Sequence, residues 1–200
     1  MQSADVEVDL KVKGTIESED RDLSFLVVSH KNDGSSSSYV FDRVETSKLS
    51  TLELTFGHIV NSVEATISMQ VVRGSWPHGF RGVFTACTTD IDGLEVLMMS
   101  SRDDELPVDD EGEVKLSHRV VSVEFSRPMA RHKKANHKKP KLKVSGQALH
   151  TEGEKDALKD DVVFTSKKTG RSQQMLRIGS CEMKVMVAWS LLSTFKCTYE

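Results

Sequence analysis

The densest chemistry in this sequence is carried by charge. Residues 127–143, RPMARHKKANHKKPKLK, hold eight Lys/Arg and no acid. Within them Lys138-Lys139-Pro140-Lys141, with Lys133 and Lys134 just upstream, matches a short nuclear-import pattern. The same cations could neutralise phosphates on a nucleic acid or another anionic surface, with a steep salt dependence. Residues 127–143 contain no aromatic residue, so base stacking has no platform there. Nucleic-acid contact would then follow the backbone and tolerate any base sequence. The plainer expectation is an exposed insertion loop between two strands.

The opposite charge is concentrated in residues 103–113, DDELPVDDEGE, with seven acids and no base. Asp103 and Asp104, with Asp90 and Asp92 of the nearby Asp90-Ile-Asp92-Gly93, are the candidate ligands for a calcium ion at a sheet edge. Calcium takes about six to eight oxygens from a folded loop. EF-hand spacing is absent, so a solvated loop, or one paired with the basic block, is the simpler reading. The net charge of −3 therefore conceals two opposed blocks.

Nucleophiles and imidazoles are dispersed. Cys87, Cys181 and Cys197 form no C-x-x-C and no zinc-site spacing with histidine. An odd, widely spaced set argues for a reducing compartment, the cytoplasm, with the nucleus open through the import pattern. The seven histidines fall singly along the chain, and no Ser/His/Asp order comes with a nucleophile elbow. No catalytic residue and no cofactor site is predicted. Trp76-Pro77-His78-Gly79 is a turn carrying a large aromatic ring. If exposed, Trp76 is the residue best suited to touch a sugar or a protein partner; otherwise it folds back onto the core.

The elements that must position these residues are strands. Apolar side chains recur at every second position in residues 6–12, 52–56, 63–71, 121–125 and 181–191, which gives each run one apolar face. Shorter runs such as LSFLVVSH (23–30), GVFTACTT (82–89) and DVVFTS (161–166) are separated by KNDGSSSS, GSWPHG, DIDG and KKTGRS, whose Gly, Asn, Asp and Ser favour turns. Helical periodicity fails almost everywhere; GEKDALKDD (153–161) is the best candidate for one or two turns. With 38% apolar and 28% charged residues, the chain can bury a sizeable core and is not disordered. No apolar run nears the ~18–20 residues of a membrane span, so a soluble chain is expected. The pattern predicts an all-β fold: an antiparallel β-sandwich of two packed sheets, about a dozen strands and little helix. It would be a single domain over 1–200, with 101–113 as an acidic loop and 127–143 as a basic insertion loop. The run 59–72 is long enough that it is expected to bend, twist or pass between sheets.

As a set, several segments resemble a known family. LKVKGTIESEDRDLSFLVVSH, the stretch from 47 to 97, VKLSHRVVSVE and GSCEMKVMVAWSLL are similar to a family of grass (Poaceae) proteins catalogued as a domain of unknown function, number 6598. The markers are S-V-E-A-T-I, F-x-G-x-F-T-A-C-T and G-S-C-x-M-x-V-x-V-A-W-S-L, and the likeness runs from about Val6 to Leu192. The basic block 127–143 departs from it. The resemblance implies a plant protein of defence or stress, similar to jasmonate-induced proteins, in a family whose domain is sometimes joined to a ribosome-inactivating rRNA N-glycosylase. Such an enzyme needs a Glu and an Arg close together on a helix, with tyrosines around the flipped adenine. Here the only such spacing, Glu124-Phe-Ser-Arg127, ends a strand-like run, and the tyrosines are only Tyr39 and Tyr199. The expected function is a non-enzymatic binding module with a protein partner. The alternatives are an accessory domain of an rRNA N-glycosylase system and a phosphate- or nucleic-acid-binding module acting through the basic loop. Trp189 is expected to anchor the core.

Overall fold

The structure, a computed structural model, describes residues 3–31, 35, 37–89, 91–101, 105–125, 140–150 and 157–191. Among these, the chain is all-β, with twelve strands and one 3-10 turn at Glu17–Glu19. Every strand pairing is antiparallel. Among the described residues no helix is long and apolar enough to cross a membrane. The chain divides into two compact units, Met1–His58 and Ile59–Glu200. The sequence predicts one domain over 1–200; strands on both sides of residue 58 share the same period, so alternation carries no mark of this division.

The first unit is two ribbons. β1 (Ser3–Val12) pairs with β2 (Arg21–Lys31), and β3 (Tyr39–Thr46) pairs with β4 (Thr51–His58). Side chains alternate across a strand. One face of the first ribbon therefore carries Val6 opposite Val28, Val8 opposite Leu26 and Leu10 opposite Ser24. Val28 and Ser24 are buried on that face. Ser50, in the turn between β3 and β4, donates its hydroxyl to the Leu23 carbonyl at 3.1 Å. At the other end of β2, the His30 ring stacks on Phe41 at 4.5 Å. The two ribbons thus meet at both ends of β2.

The second unit is the sandwich. One sheet runs β11 (Gly170–Ile178), β12 (Cys181–Leu191), β5 (Ser62–Arg73), β8 (Val120–Glu124). The other runs β10 (Leu158–Thr165), β9 (Lys141–His150), β6 (Phe80–Thr88), β7 (Glu95–Ser100). Their facing sides form one buried cluster. Val63, Ala65, Ile67 and Met69 of β5 are fully enclosed, as are Met183, Val185 and Val187 of β12. Each of the Val, Ile and Met side chains among them contributes roughly 1.5–3 kcal/mol relative to exposure. Trp189 is buried in the same cluster, and its indole N–H donates to Ser172 Oγ at 3.0 Å. Phe84 sits between the sheets because β9 has a glycine beneath it. A Cβ at Gly146 would lie 3.0 Å from the Phe84 ring and 2.8 Å from Leu176.

β5 stays within one sheet over its whole length; it changes partner instead of crossing. Along one edge it pairs with β12 from Val63 to Arg73. Along the other, β8 covers only residues 62–66. Beyond that point segment 112–119 takes over. The Ile67 N–H donates to the Arg119 carbonyl, Val114 N–H donates to the Met69 carbonyl, and Val71 N–H donates to the Gly112 carbonyl. Gly112 has φ +78, and a Cβ there would crowd the Val71 carbonyl at 3.1 Å, so glycine suits the site twice over. The helical turns predicted in 153–161 are also corrected. Residues 158–161 are the start of β10, paired with 145–148 of β9, and residues 153–156 lie outside the described residues. Pairing to an existing edge outweighs the weak local helix pattern.

Candidate functional site

The first unit gathers aromatic rings at one end. Tyr39 lies opposite His58, and Phe41 opposite Phe56, in the β3–β4 register. Being two apart, they share a face. Tyr39 stacks on His58 at 5.0 Å, and Phe41 stacks on Phe56 at 5.4 Å. His30, near the end of β2, completes the set by stacking on Phe41. Its Nε2 is buried and has no hydrogen-bond partner among the described residues. Beside these rings is a groove of about 600 Å³, lined by Ser29, His30, Lys31, Tyr39, Phe41, Asp42 and Arg43. Lys31 and Arg43 are exposed on it. Neither takes part in an ion pair among the described residues. Asp42 already accepts the Thr55 hydroxyl on Oδ1 at 2.8 Å.

The other face of the β1–β2 ribbon is open. Asp5 lies opposite Ser29, Glu7 opposite Val27 and Asp9 opposite Phe25. Phe25 is 64% and Val27 57% exposed, and the three acids beside them are exposed too. None of the three is in an ion pair among the described residues. One strand thus offers a row of carboxylates, and its neighbour a row of apolar side chains.

Of the residues singled out in the sequence, Trp76, Asp92 and Lys141 are described, and they lie apart on the sandwich. Trp76 is half-buried. Its indole N–H donates to the Phe80 carbonyl at 2.7 Å, and its ring lies 5.9 Å from that of Phe84. Asp92 is exposed in the turn after β6, and Lys141 is exposed at the start of β9. Asp90, Asp103, Asp104, Lys133, Lys134, Lys138 and Lys139 lie outside the described residues. Among the described residues no three His, Cys, Asp or Glu side chains converge as a metal site. Two acids of the 103–113 block serve the loop itself. Asp109 Oδ1 accepts the N–H groups of Glu111 at 3.0 Å and Glu113 at 2.8 Å. Glu113 meets Arg119 at 3.1 Å.

Two cysteines are free thiols. Cys181 is fully buried in the core, and burial pushes its thiol up from the ordinary range. Cys87 is half-exposed on β6. Burial raises its thiol first, Glu95 and Asp161 raise it further, and Lys143 opposes them. A raised thiol holds less of the nucleophilic thiolate near neutrality than a free cysteine does.

Sequence reasoning did not find the groove or the open ribbon face. The alternation of Tyr39 with Phe41 and of Phe56 with His58 was a usable signal, but bringing His30 to them requires the contact between ribbons.

Fold and contacts together define an all-β protein: an eight-stranded antiparallel sandwich with a smaller two-ribbon unit. The chain belongs to the family described as Domain of unknown function (DUF6598), whose profile matches residues 1–187 and so runs through both units. Neither a curated protein nor a solved structure matches the chain.

Proposed function

We propose that the protein is a non-enzymatic interaction module that docks a cationic protein segment on the open face of the β1–β2 ribbon. The observation that carries this reading is the pairing of an exposed Phe25–Val27 row with Asp5, Glu7 and Asp9 across the register. Apolar contact supplies affinity, and the carboxylates select a Lys/Arg-bearing partner and steer its approach. The resemblance of the family segments to grass proteins supports a role in a plant defence or stress response, with a jasmonate-linked setting.

The test is titration of the full chain with a synthetic peptide that alternates lysine with valine. Binding should weaken several-fold as ionic strength rises from about 0.05 to about 0.3 M. Glu7→Lys and Phe25→Ser, both at exposed positions, should each weaken it about tenfold. Equal binding of an otherwise identical glutamate–valine peptide would remove the reading.

A second reading is phosphate or nucleic-acid binding through residues 127–143. Lys141 supports it, being exposed at the start of β9. Deleting residues 131–141 should then abolish low-salt binding to duplex nucleic acid.

A further inference from the structure

We propose that the groove of the first unit is a binding site for a planar carboxylate, an acid carried on an aromatic or conjugated frame. It shares Ser29 with the edge of the docking face, but its rings and its cations Lys31 and Arg43 are not among the residues that reading uses, so the two are tested separately.

Size comes first. About 600 Å³ is the room a small molecule needs. Shape follows from the walls. Tyr39 and Phe41 alternate along one strand face, and His30 packs parallel to Phe41 within about a third of a right angle, at 27°. Flat walls favour a flat guest, because ring faces pack by offset stacking or edge contact. Charge comes from the rim. Lys31 and Arg43 outnumber Asp42, and one oxygen of Asp42 is already engaged by Thr55. A cationic guest would face two like charges, whereas an anion gains both. The guanidinium of Arg43 matches a carboxylate as a two-pronged donor. Rings and rim cations line one small volume, and a planar carboxylate uses both.

The experiment is calorimetric titration of the full chain with benzoate, benzamide, cyclohexanecarboxylate and inorganic phosphate. Benzoate should bind, and the other three should bind at least about tenfold more weakly, since each lacks the charge, the flat ring or the ring altogether. Arg43→Gln, at an exposed position, should weaken benzoate about tenfold. Phe41→Leu should do the same, with folding checked by circular dichroism. Arg171→Gln, an exposed cation on β11, should leave benzoate binding unchanged. The proposal is overturned if benzoate does not bind at about 10 mM. It is equally overturned if benzamide, cyclohexanecarboxylate or phosphate matches benzoate, or if Arg43→Gln has no effect.

Discussion

Cys181 lies where a strand of the sandwich begins, with no exposed surface, and burial disfavours its charged form. Burial therefore raises the thiol above its unfolded value of about 8.5. The folded chain holds that proton more tightly than the unfolded chain does. The resulting stability is fully present below the unfolded value and is lost as pH rises through the folded one. Denaturant unfolding of the protein and of Cys181→Ala, compared from pH 7 to about pH 10, checks this. The protein should lose stability relative to the variant above roughly pH 8.5. A constant gap would mean that the thiol is not desolvated. Trp189, on the same strand, shows what a single position reveals in advance. Its place in the alternation gave its burial, but its partner Ser172 depends on the β11–β12 register.

At the scale of elements, the most consequential segment is not a regular strand. Beyond Thr66, one edge of β5 is satisfied by residues 112–119, and that segment is shaped by Asp109. Its carboxylate holds two backbone N–H groups and so fixes the turn that brings Val114 to Met69. Asp109→Ala should cost about 1–2 kcal/mol. It should also speed hydrogen exchange at the Val71 and Val114 amides, while Val185 in the centre of β12 keeps its protection. Unchanged exchange at Val71 and Val114 would show that the edge holds without the turn. The central strands β5 and β12 were legible because every second residue from Val63 to Met69 and from Cys181 to Trp189 is apolar and buried. The acidic block was legible as charge and not as structure, since an Asx-type turn reads the same as a solvated loop until its hydrogen bonds are seen. The first ribbon was ambiguous for another reason. Residues 25–28, Phe-Leu-Val-Val, are apolar on both faces. Alternation could not say that Val28 turns inward while Phe25 and Val27 remain exposed.

At the scale of the molecule, the two units are built on different terms. The sandwich encloses a continuous apolar cluster from both its sheets. The ribbon unit leaves a face open, with Phe25 and Val27 exposed beside three unpaired acids. An isolated two-stranded ribbon is marginal in water, and contacts such as those of Ser50 with Leu23 and His30 with Phe41 hold this one to its neighbour. Strand period could not separate these roles, since it is the same on both sides of residue 58. Composition does change there, with six Lys/Arg against eleven Asp/Glu in residues 1–58 and 21 against 19 in the rest, and with both tryptophans and all three cysteines after residue 58. Since carboxylates exposed to water are screened within about 10 Å at 0.1 M salt, the proposed docking on this face is expected to weaken as ionic strength rises.

We propose that the protein works by binding, through the ribbon unit. The most direct measurement is an amide chemical-shift map of the 15N-labelled chain titrated with the lysine–valine peptide. The predicted result is that shifts cluster on residues 5–9 and 25–29 and vanish at about 0.5 M salt. Shifts centred on the outer faces of the sandwich, or no shifts at low salt, would contradict it.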